Sequence, residues 1–152
     1  VDNVLFWMES KGRLGRKAKA GFFRYDAQGK RLGYWEGLGA QYPLAAQQPN
    51  LIDVQHRLIF VQSLEAVRAL ETGVLMDIRE GDVGAILGWG FAPWSGGPFS
   101  WLDILGSPYA AERCDQLHHA YGDRFACPDF LRSMASKGQS FYGQAKKAQS
   151  AA

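Results

Sequence analysis

Long apolar runs and cysteine are both scarce in this sequence of 152 residues. No stretch of about 18 consecutive apolar residues occurs, which argues against a membrane-spanning helix. No basic segment followed by an apolar run opens the chain, so a secretory signal peptide is not expected. The only cysteines, Cys114 and Cys127, are too few for a disulfide framework. We therefore expect a reducing compartment, the cytoplasm.

The usual signatures of catalytic and nucleotide-binding sites are also missing. There is no Gly-x-Gly-x-x-Gly after a strand pattern, no P-loop, no nucleophile elbow and no complete metal-binding spacing. We accordingly predict no catalytic residue, no cofactor-binding residue and no metal site in this chain. If the chain belongs to an enzyme, the bond-making groups lie elsewhere.

The composition is that of a globular protein, with 47% hydrophobic and 21% charged residues. The chain begins Val-Asp-Asn, without an initiator Met, inside a segment whose apolar residues predict a helix. We therefore expect a piece of a longer protein.

Basic residues are concentrated near the start of the chain. Residues 11–31 contain eight basic residues and one acid, a net charge of +7, whereas the remainder carries −5. Two interpretations are open. The segment could neutralise phosphates of nucleic acid or of a nucleotide-bearing ligand, with Phe22, Phe23 and Tyr25 available for stacking. Alternatively, it is a solvated hairpin, as charge runs usually are.

The order of apolar, Gly and Pro residues predicts a mainly α protein with a short N-terminal β-hairpin arm. A helix ends near Gly12, strands follow at 21–25 and 30–35 around a turn at 26–29, and residues 36–50 form a linker. Helical spacing then predicts helices over 51–73, 77–87, 98–106, 107–122 and 128–138, with Asp77 and Ser107 as N-caps.

The most unusual stretch is residues 88–101, which combine four glycines with five aromatic residues. Glycine permits positive φ and close backbone approach, and aromatic rings bury large areas. The stretch is either a loop that packs on a ligand or partner, or a tight connection whose rings fill the domain's own core. Residues 88–97 are predicted to be irregular.

Two sets of helical residues could carry chemistry. Cys114 and His118 are four residues apart and share a helix face with His119 nearby, so a metal or thiol–imidazole site is conceivable. Two ligands do not complete such a site, however, and a half-buried helix with ordinary polar residues is the simpler interpretation. His56 lies near the start of the long helix without an acid placed to form a dyad.

An ordered series of short motifs resembles the C-terminal region of 3-hydroxyacyl-CoA dehydrogenases. Residues 12–25 resemble a segment that ends one C-terminal helical unit of that family. The rest of the series follows in the family's order: His56-Arg-Leu-Ile, Glu65-Ala-Val-Arg, Gly73-Val, Asp82-Val-Gly, Gly88-Trp-Gly-Phe-Ala-Pro-Trp-Ser-Gly-Gly-Pro-Phe99 and Leu102-Asp-Ile-Leu-Gly106. Ala18 and Ala20 depart from the family's usual glycines. The tandem arrangement and Gly96-Gly97 resemble the α subunit of the multifunctional fatty-acid oxidation proteins.

This resemblance implies a fold and a domain plan. The fold is a dehydrogenase C-terminal helical bundle. Residues 1–50 are the end of the first helical unit, with the basic hairpin and the linker, and residues 51–142 are a second, complete unit. Residues 143–152 are a frayed tail. The missing partners are a Rossmann domain and the first helical unit of the same chain, in a protein that also carries an enoyl-CoA hydratase region.

The resemblance also implies a function. The parent protein oxidises 3-hydroxyacyl-CoA with NAD, which binds outside this chain, and the chain itself is non-catalytic. It helps to wall the acyl-CoA cleft and mediates packing or dimerisation. The residues implied in substrate binding or in an interface are His56, Gly88, Gly90, Phe91, Pro93, Trp94, Gly96, Gly97 and Pro98.

Two further expectations follow. An apolar face exposed by the missing unit would let the chain associate with itself. The rival hypothesis is a free-standing helical binding module whose basic arm contacts nucleic acid or another polyanion. Under the dehydrogenase resemblance a nucleic-acid partner is not expected.

Overall fold

The computed structural model describes residues 2–143, and these are mainly helical with one small β-hairpin, as predicted. They divide between Gln48 and Pro49 into two compact units, each with its own internal packing. Except for Gly143, the predicted frayed tail at 143–152 lies outside the described residues. No helix within 2–143 has the length and apolar character needed to cross a membrane.

The first unit consists of two short helices and the hairpin. Its elements are α1 (Asp2–Ser10), a 3-10 turn (Arg16–Ala18), β1 (Phe23–Tyr25), β2 (Arg31–Tyr34) and α2 (Glu36–Gln41). The strands are antiparallel, with Phe23 opposite Tyr34. Gly29 has the positive φ that the connecting turn requires, and the Asp26 carboxylate accepts the backbone N–H of Lys30 at 2.8 Å. The predicted hairpin is therefore confirmed.

The predicted linker at 36–50 is wrong over its first six residues, which form α2. The aromatic residues around it explain why this Gly-containing segment is ordered. The Trp35 ring stacks on Trp7 at 5.4 Å between centroids, and Tyr42 meets the same Trp7 ring edge-on at 5.5 Å. Both ends of α2 are thus anchored to α1 by ring contacts.

Among the described residues of the second unit, a helical segment begins at Phe141, and five complete helices joined by short connections precede it. They are α3 (Leu51–Glu71), α4 (Ile78–Trp89), α5 (Pro98–Leu105), α6 (Ser107–Tyr121) and α7 (Asp129–Ser136), with 3-10 turns at Pro93–Ser95 and Asp123–Phe125. All five were predicted. Asp77 caps α4 by accepting the N–H of Arg79 at 2.8 Å, as expected from its position.

The core of the second unit lies between α3, α5, α6 and α7. The members of this cluster are nearly inaccessible to solvent: Phe60, Leu64, Val67, Phe99, Trp101, Leu102, Ala110, Cys114, Leu117, Phe125, Leu131, Met134 and Phe141. Since Phe99 and Trp101 belong to it, part of the aromatic stretch at 88–101 does fill the domain's own core. This contribution of α5 fixes the position of the connection that precedes it.

Two local predictions are corrected. Gly88 and Trp89 are not irregular but form the last turn of α4, and the chain leaves the helix at Gly90, whose φ is +78°. Ser107 is not an N-cap but the first residue of α6, and its hydroxyl donates to the carbonyl of Gln139 at 2.6 Å. The Ser107 hydroxyl is thus used in a tertiary contact and not in a local cap.

Candidate functional site

A buried carboxylate on α4 organises the connection between α4 and α5. Asp82 Oδ1 accepts the backbone N–H of Phe99 at 2.8 Å, and Oδ2 accepts the backbone N–H of Ser100 at 3.1 Å and its hydroxyl at 2.6 Å. Asp82 therefore caps the N-terminus of α5 from another helix. Its negative charge also lies at the positive end of the α5 dipole, which lowers the free energy of this arrangement.

Gly97 lies directly against this carboxylate. It precedes α5 with φ +114°, and a Cβ built on it would lie 2.5 Å from Cβ, Cγ and Oδ1 of Asp82. Any larger residue would have to displace the buried acid. The position requires glycine both for its backbone conformation and for this close approach.

The end of the described chain is attached to the same helix pair. Asp103 of α5 accepts the backbone N–H groups of Phe141 and Tyr142 at 2.7 and 2.9 Å. The Tyr142 hydroxyl donates to Asp82 Oδ2 at 2.8 Å. Burial, together with this hydrogen bond to a carboxylate, raises the pKa of Tyr142 above its ordinary value. The Asp82 carboxylate is thus the meeting point of α4, α5 and the segment around Tyr142.

The nine residues implied in a substrate or interface role fall into distinct groups. Phe91, Gly97 and Pro98 are buried and belong to the scaffold. His56 is half-buried on α3. The remaining five are exposed: Gly88, Gly90, Pro93, Trp94 and Gly96. Trp94 is 75% exposed, which is unusual for so large an aromatic ring.

The outer surface of α4 is also apolar and exposed. Val83 and Leu87, one helical turn apart, are 56% and 80% exposed. Gly84 and Gly88 lie beside them, and a Cβ on either glycine would meet no atom within 4 Å. We call these four residues the α4 outer face. An apolar face with two small residues permits close packing of another protein surface.

His56 is held in a polar contact with α6. Its Nδ1 accepts the Arg113 Nε–H at 3.0 Å, and Arg113 is also bound by the carboxylate of Asp53. The imidazole ring meets Trp101 edge-on at 6.2 Å and Tyr109 at 6.4 Å. Within residues 2–143, the hydrogen bond and the ring contacts of His56 are to α3, α5 and α6, so none joins it to residues 88–98.

The surroundings of His56 determine what it can do chemically. Burial, followed by the positive charge of Arg113, lowers the pKa of His56, and Asp53 opposes this change only partly. The neutral ring is therefore favoured. Because Nδ1 is an acceptor, Nε2 carries the proton. His56 is thus suited to donate a hydrogen bond to a ligand oxygen, and it is poorly arranged to act as a general base.

The Cys114 and His118 pair does not form a joint site. The Cys114 thiol is buried and interacts with Cys127, whereas His118 Nε2 lies 2.9 Å from Asp123 Oδ1. Nowhere in residues 2–143 do three or more His, Cys, Asp or Glu side chains come together in a way that could hold a metal ion. The two side chains therefore make two separate contacts, with Cys127 and with Asp123.

Sequence reasoning missed the residues that shape this region, namely Asp82, Arg113 and Tyr142. Asp82 was noted only as part of a motif. Its partners are 17, 18 and 60 residues away, so no local spacing reveals them. An acid amid the apolar residues of α4 was the available signal, because a buried charge requires several partners.

Curated relatives align with most of the chain. The chain is 40% identical over 133 residues, 86% of its length, to the fatty acid oxidation complex subunit alpha of Shewanella loihica. The subunits of the same name from Vibrio vulnificus and Vibrio cholerae are each 37% identical, over 135 and 134 residues, also 86% of this chain.

These alignments cover 18–19% of each relative, so the chain spans about a fifth of the length of the curated relatives it matches. No protein-family model matches the chain. The resemblance recognised in the sequence is confirmed: over most of its length this chain is homologous to a segment of fatty acid oxidation complex alpha subunits.

Proposed function

We propose that the chain is a non-catalytic packing domain of an NAD-dependent 3-hydroxyacyl-CoA dehydrogenase of fatty-acid β-oxidation, and that it helps to form the acyl-CoA site. The observation that carries this proposal is the 40% identity, over 86% of the chain, to a subunit named for fatty acid oxidation. A dehydrogenase needs a base and an NAD site, and we assign both to parts of the parent protein outside this chain. One feature of the second unit supports the packing role, and a second feature supports a part in the acyl-CoA site.

The first feature is the exposed apolar surface formed by the α4 outer face and Trp94. Asp82 links α4 to the start of α5 by hydrogen bonds, while the side chains of Leu87 and Trp94 remain mostly exposed. When the backbone that carries large apolar side chains is already ordered, less conformational entropy is lost on binding a partner. We assign the α4 outer face and Trp94 to contact with another helical unit of the parent protein.

The second feature is His56, whose Nε2–H is free to donate within the described chain. A neutral imidazole donor suits an uncharged acceptor such as the carbonyl of an acyl thioester. We assign His56 to the edge of the acyl-CoA cleft as a donor. The Arg113 contact, which fixes the tautomer, supports this role.

NAD does not fit the residues of this chain. Dinucleotide sites of the Rossmann type need a parallel sheet and a Gly-rich turn that leads into a helix. The strands in the described residues form one antiparallel hairpin. We therefore assign NAD binding to another part of the parent protein. A cytoplasmic location completes the proposal, and the unpaired cysteines Cys114 and Cys127 support it.

The test measures activity and assembly separately. The chain alone should not oxidise NADH in the presence of acetoacetyl-CoA, and turnover would overturn the non-catalytic assignment. Its association with a Shewanella loihica alpha subunit that lacks the matching segment is then measured by analytical ultracentrifugation. We expect Leu87→Glu to weaken this association about tenfold or more, because it introduces an unpaired charge into an apolar contact.

Val74→Glu provides the matched control. Val74 is 82% exposed and precedes α4, whereas Leu87 lies near the other end of that helix. The charge change is the same, so a specific interface predicts no effect of Val74→Glu. Equal effects of the two substitutions, or no association of the unaltered chain, would contradict the packing role.

A further inference from the structure

The basic segment at 11–31 divides into cations that hold the first unit together and cations that do not. Arg13 donates to the carbonyls of Gly21 and Phe23 and lies over the Trp35 ring. Lys19 donates to the carbonyl of Ala27 at 2.8 Å. These contacts give Arg13 and Lys19 a structural role. Arg24 has one as well, because it forms an ion pair with Glu36 at 3.1 Å.

A second group of cations makes no such structural contact. Among the residues that the structure describes, the side chains of Arg16 and Lys30 make no hydrogen bond or ion pair. Both are exposed. The acid of the turn, Asp26, is already bound to the backbone N–H of Lys30. Exposed cations without an acidic side-chain partner raise the positive potential locally, and this favours a bound anion.

These cations line one pocket at the turn of the hairpin. It has a volume of about 280 Å³, and its walls are Arg16, Tyr25, Gly29, Lys30 and Arg31. That volume is near the lower end of the roughly 300–1,000 Å³ typical of small-ligand sites. None of its lining residues is acidic. The Arg31 guanidinium is positioned by stacking on Phe23 at 4.0 Å.

We propose that this pocket binds the phosphate groups of a small ligand. Two guanidinium groups and one ammonium group match the charge and the multiple acceptors of a diphosphate, with bidentate hydrogen bonding available from Arg16 and Arg31. The half-buried Tyr25 supplies the aromatic wall. This inference is independent of the dehydrogenase assignment, because it rests on the first unit alone.

The geometry favours a small ligand over nucleic acid. Binding of single strands needs free aromatic faces on which bases can stack. Phe23 is not free, because Tyr34 stacks on it at 4.5 Å between centroids and Arg31 also lies over its ring. Arg16, Lys30 and Arg31 converge on one turn of the hairpin, which suits a compact anion.

The test is calorimetric titration of the whole chain with sodium pyrophosphate, ADP and coenzyme A in about 50 mM salt, where screening is moderate. We expect saturable binding of pyrophosphate that Arg16→Gln and Lys30→Gln each weaken about tenfold, the typical cost of a lost charge-assisted hydrogen bond. Lys17→Gln, with the same change in charge on an exposed residue outside the pocket, should change affinity less than about twofold.

The ligand series identifies the source of the phosphate. Tighter binding of ADP or coenzyme A than of pyrophosphate, with the same dependence on Arg16 and Lys30, would support a nucleotide-bearing ligand. Equal affinities would support recognition of the diphosphate alone. Absence of pyrophosphate binding, or equal losses in all three variants, would overturn the proposal. In a parallel titration with oligothymidylate, tighter binding than that of pyrophosphate would also overturn the proposal, in favour of a nucleic-acid surface.

Discussion

Asp82 and Gly97 are packed so closely that no side chain fits between them, since a Cβ on Gly97 would lie 2.5 Å from three atoms of Asp82. Gly97→Ala should therefore lower the free energy of unfolding by about 3 kcal/mol, from overpacking and positive φ together. Urea denaturation followed by circular dichroism measures this change. Gly97→Val should cost more, and an assembly defect in that variant would follow from damage to the fold.

Gly90 is the control for this substitution. Its φ is +78°, but a Cβ there would meet nothing within 4 Å. Gly90→Ala should cost only the conformational part, about 1 kcal/mol. If both substitutions cost the same, the contact with Asp82 does not determine the requirement for glycine at position 97.

The same pair shows how far sequence patterns reach. The capping-box spacing of Asp77 and Glu80 predicts the cap of α4, and the observed partner of Asp77, the N–H of Arg79, is only two residues away. Asp82 performs the same task for α5 from 17 residues away. Capping from the preceding residues has a fixed spacing, whereas capping from another helix depends on how the two helices pack. The helices of the second unit could therefore be predicted, but the carboxylate that joins them could not.

The first unit shows the same limit in a different form. Glycines 37 and 39 favoured a linker, and intrinsic propensity alone supports that interpretation. The stacking of Trp35 on Trp7 overrides it, and this contact joins residues 28 positions apart. Likewise, the eight cations at 11–31 were evident in the sequence. The structure was required to show which of them hold the first unit together, such as Arg13 and Lys19, and which line the pocket, such as Arg16 and Lys30.

The hydrogen bond between Tyr142 and Asp82 should contribute measurably to stability. Tyr142→Phe removes one bond to a buried carboxylate, and we expect a loss of about 1.5–3 kcal/mol. Asp82→Asn should cost more, about 3–5 kcal/mol, because four donors lose their charged acceptor. In a double-mutant cycle from urea denaturation, the coupling energy should exceed about 1 kcal/mol. Additive effects would show that the bond contributes nothing.

The pKa of His56 should make stability depend on pH. Its folded-state pKa is lowered from 6.5, so the neutral ring stabilises the fold above that pH. This contribution is lost as the pH falls through the folded-state pKa. The free energy of unfolding should thus decrease more between pH 7.5 and 5.5 in the unaltered protein than in His56→Gln. His119→Gln makes the same substitution at an exposed position and is the matched control, and an equal change of slope in both variants would contradict the role of His56.

Cys127 and Cys114 should differ in reactivity. Interaction with the neighbouring Cys114 thiol lowers the pKa of Cys127, whereas the same interaction and burial raise the pKa of Cys114. Iodoacetamide at pH 8 should modify Cys127 in the native protein and reach Cys114 only after unfolding. Cys114→Ala should slow the alkylation of Cys127. Peptide mass spectrometry follows both sites, and faster modification of Cys114 would contradict this assignment.

Substitutions at the two glycines of α2 should have opposite effects on that helix. A Cβ on Gly39 would meet no atom within 4 Å, whereas one on Gly37 would overlap the Trp35 ring. Gly39→Ala should stabilise α2 by about 0.5–1 kcal/mol, because alanine loses less backbone entropy. Gly37→Ala should displace Trp35 from Trp7 and destabilise the helix. Hydrogen exchange at the Tyr42 amide, which bonds to the Leu38 carbonyl at 2.7 Å, reports both effects. Slower exchange in Gly37→Ala would show that the ring contact does not hold α2 in place.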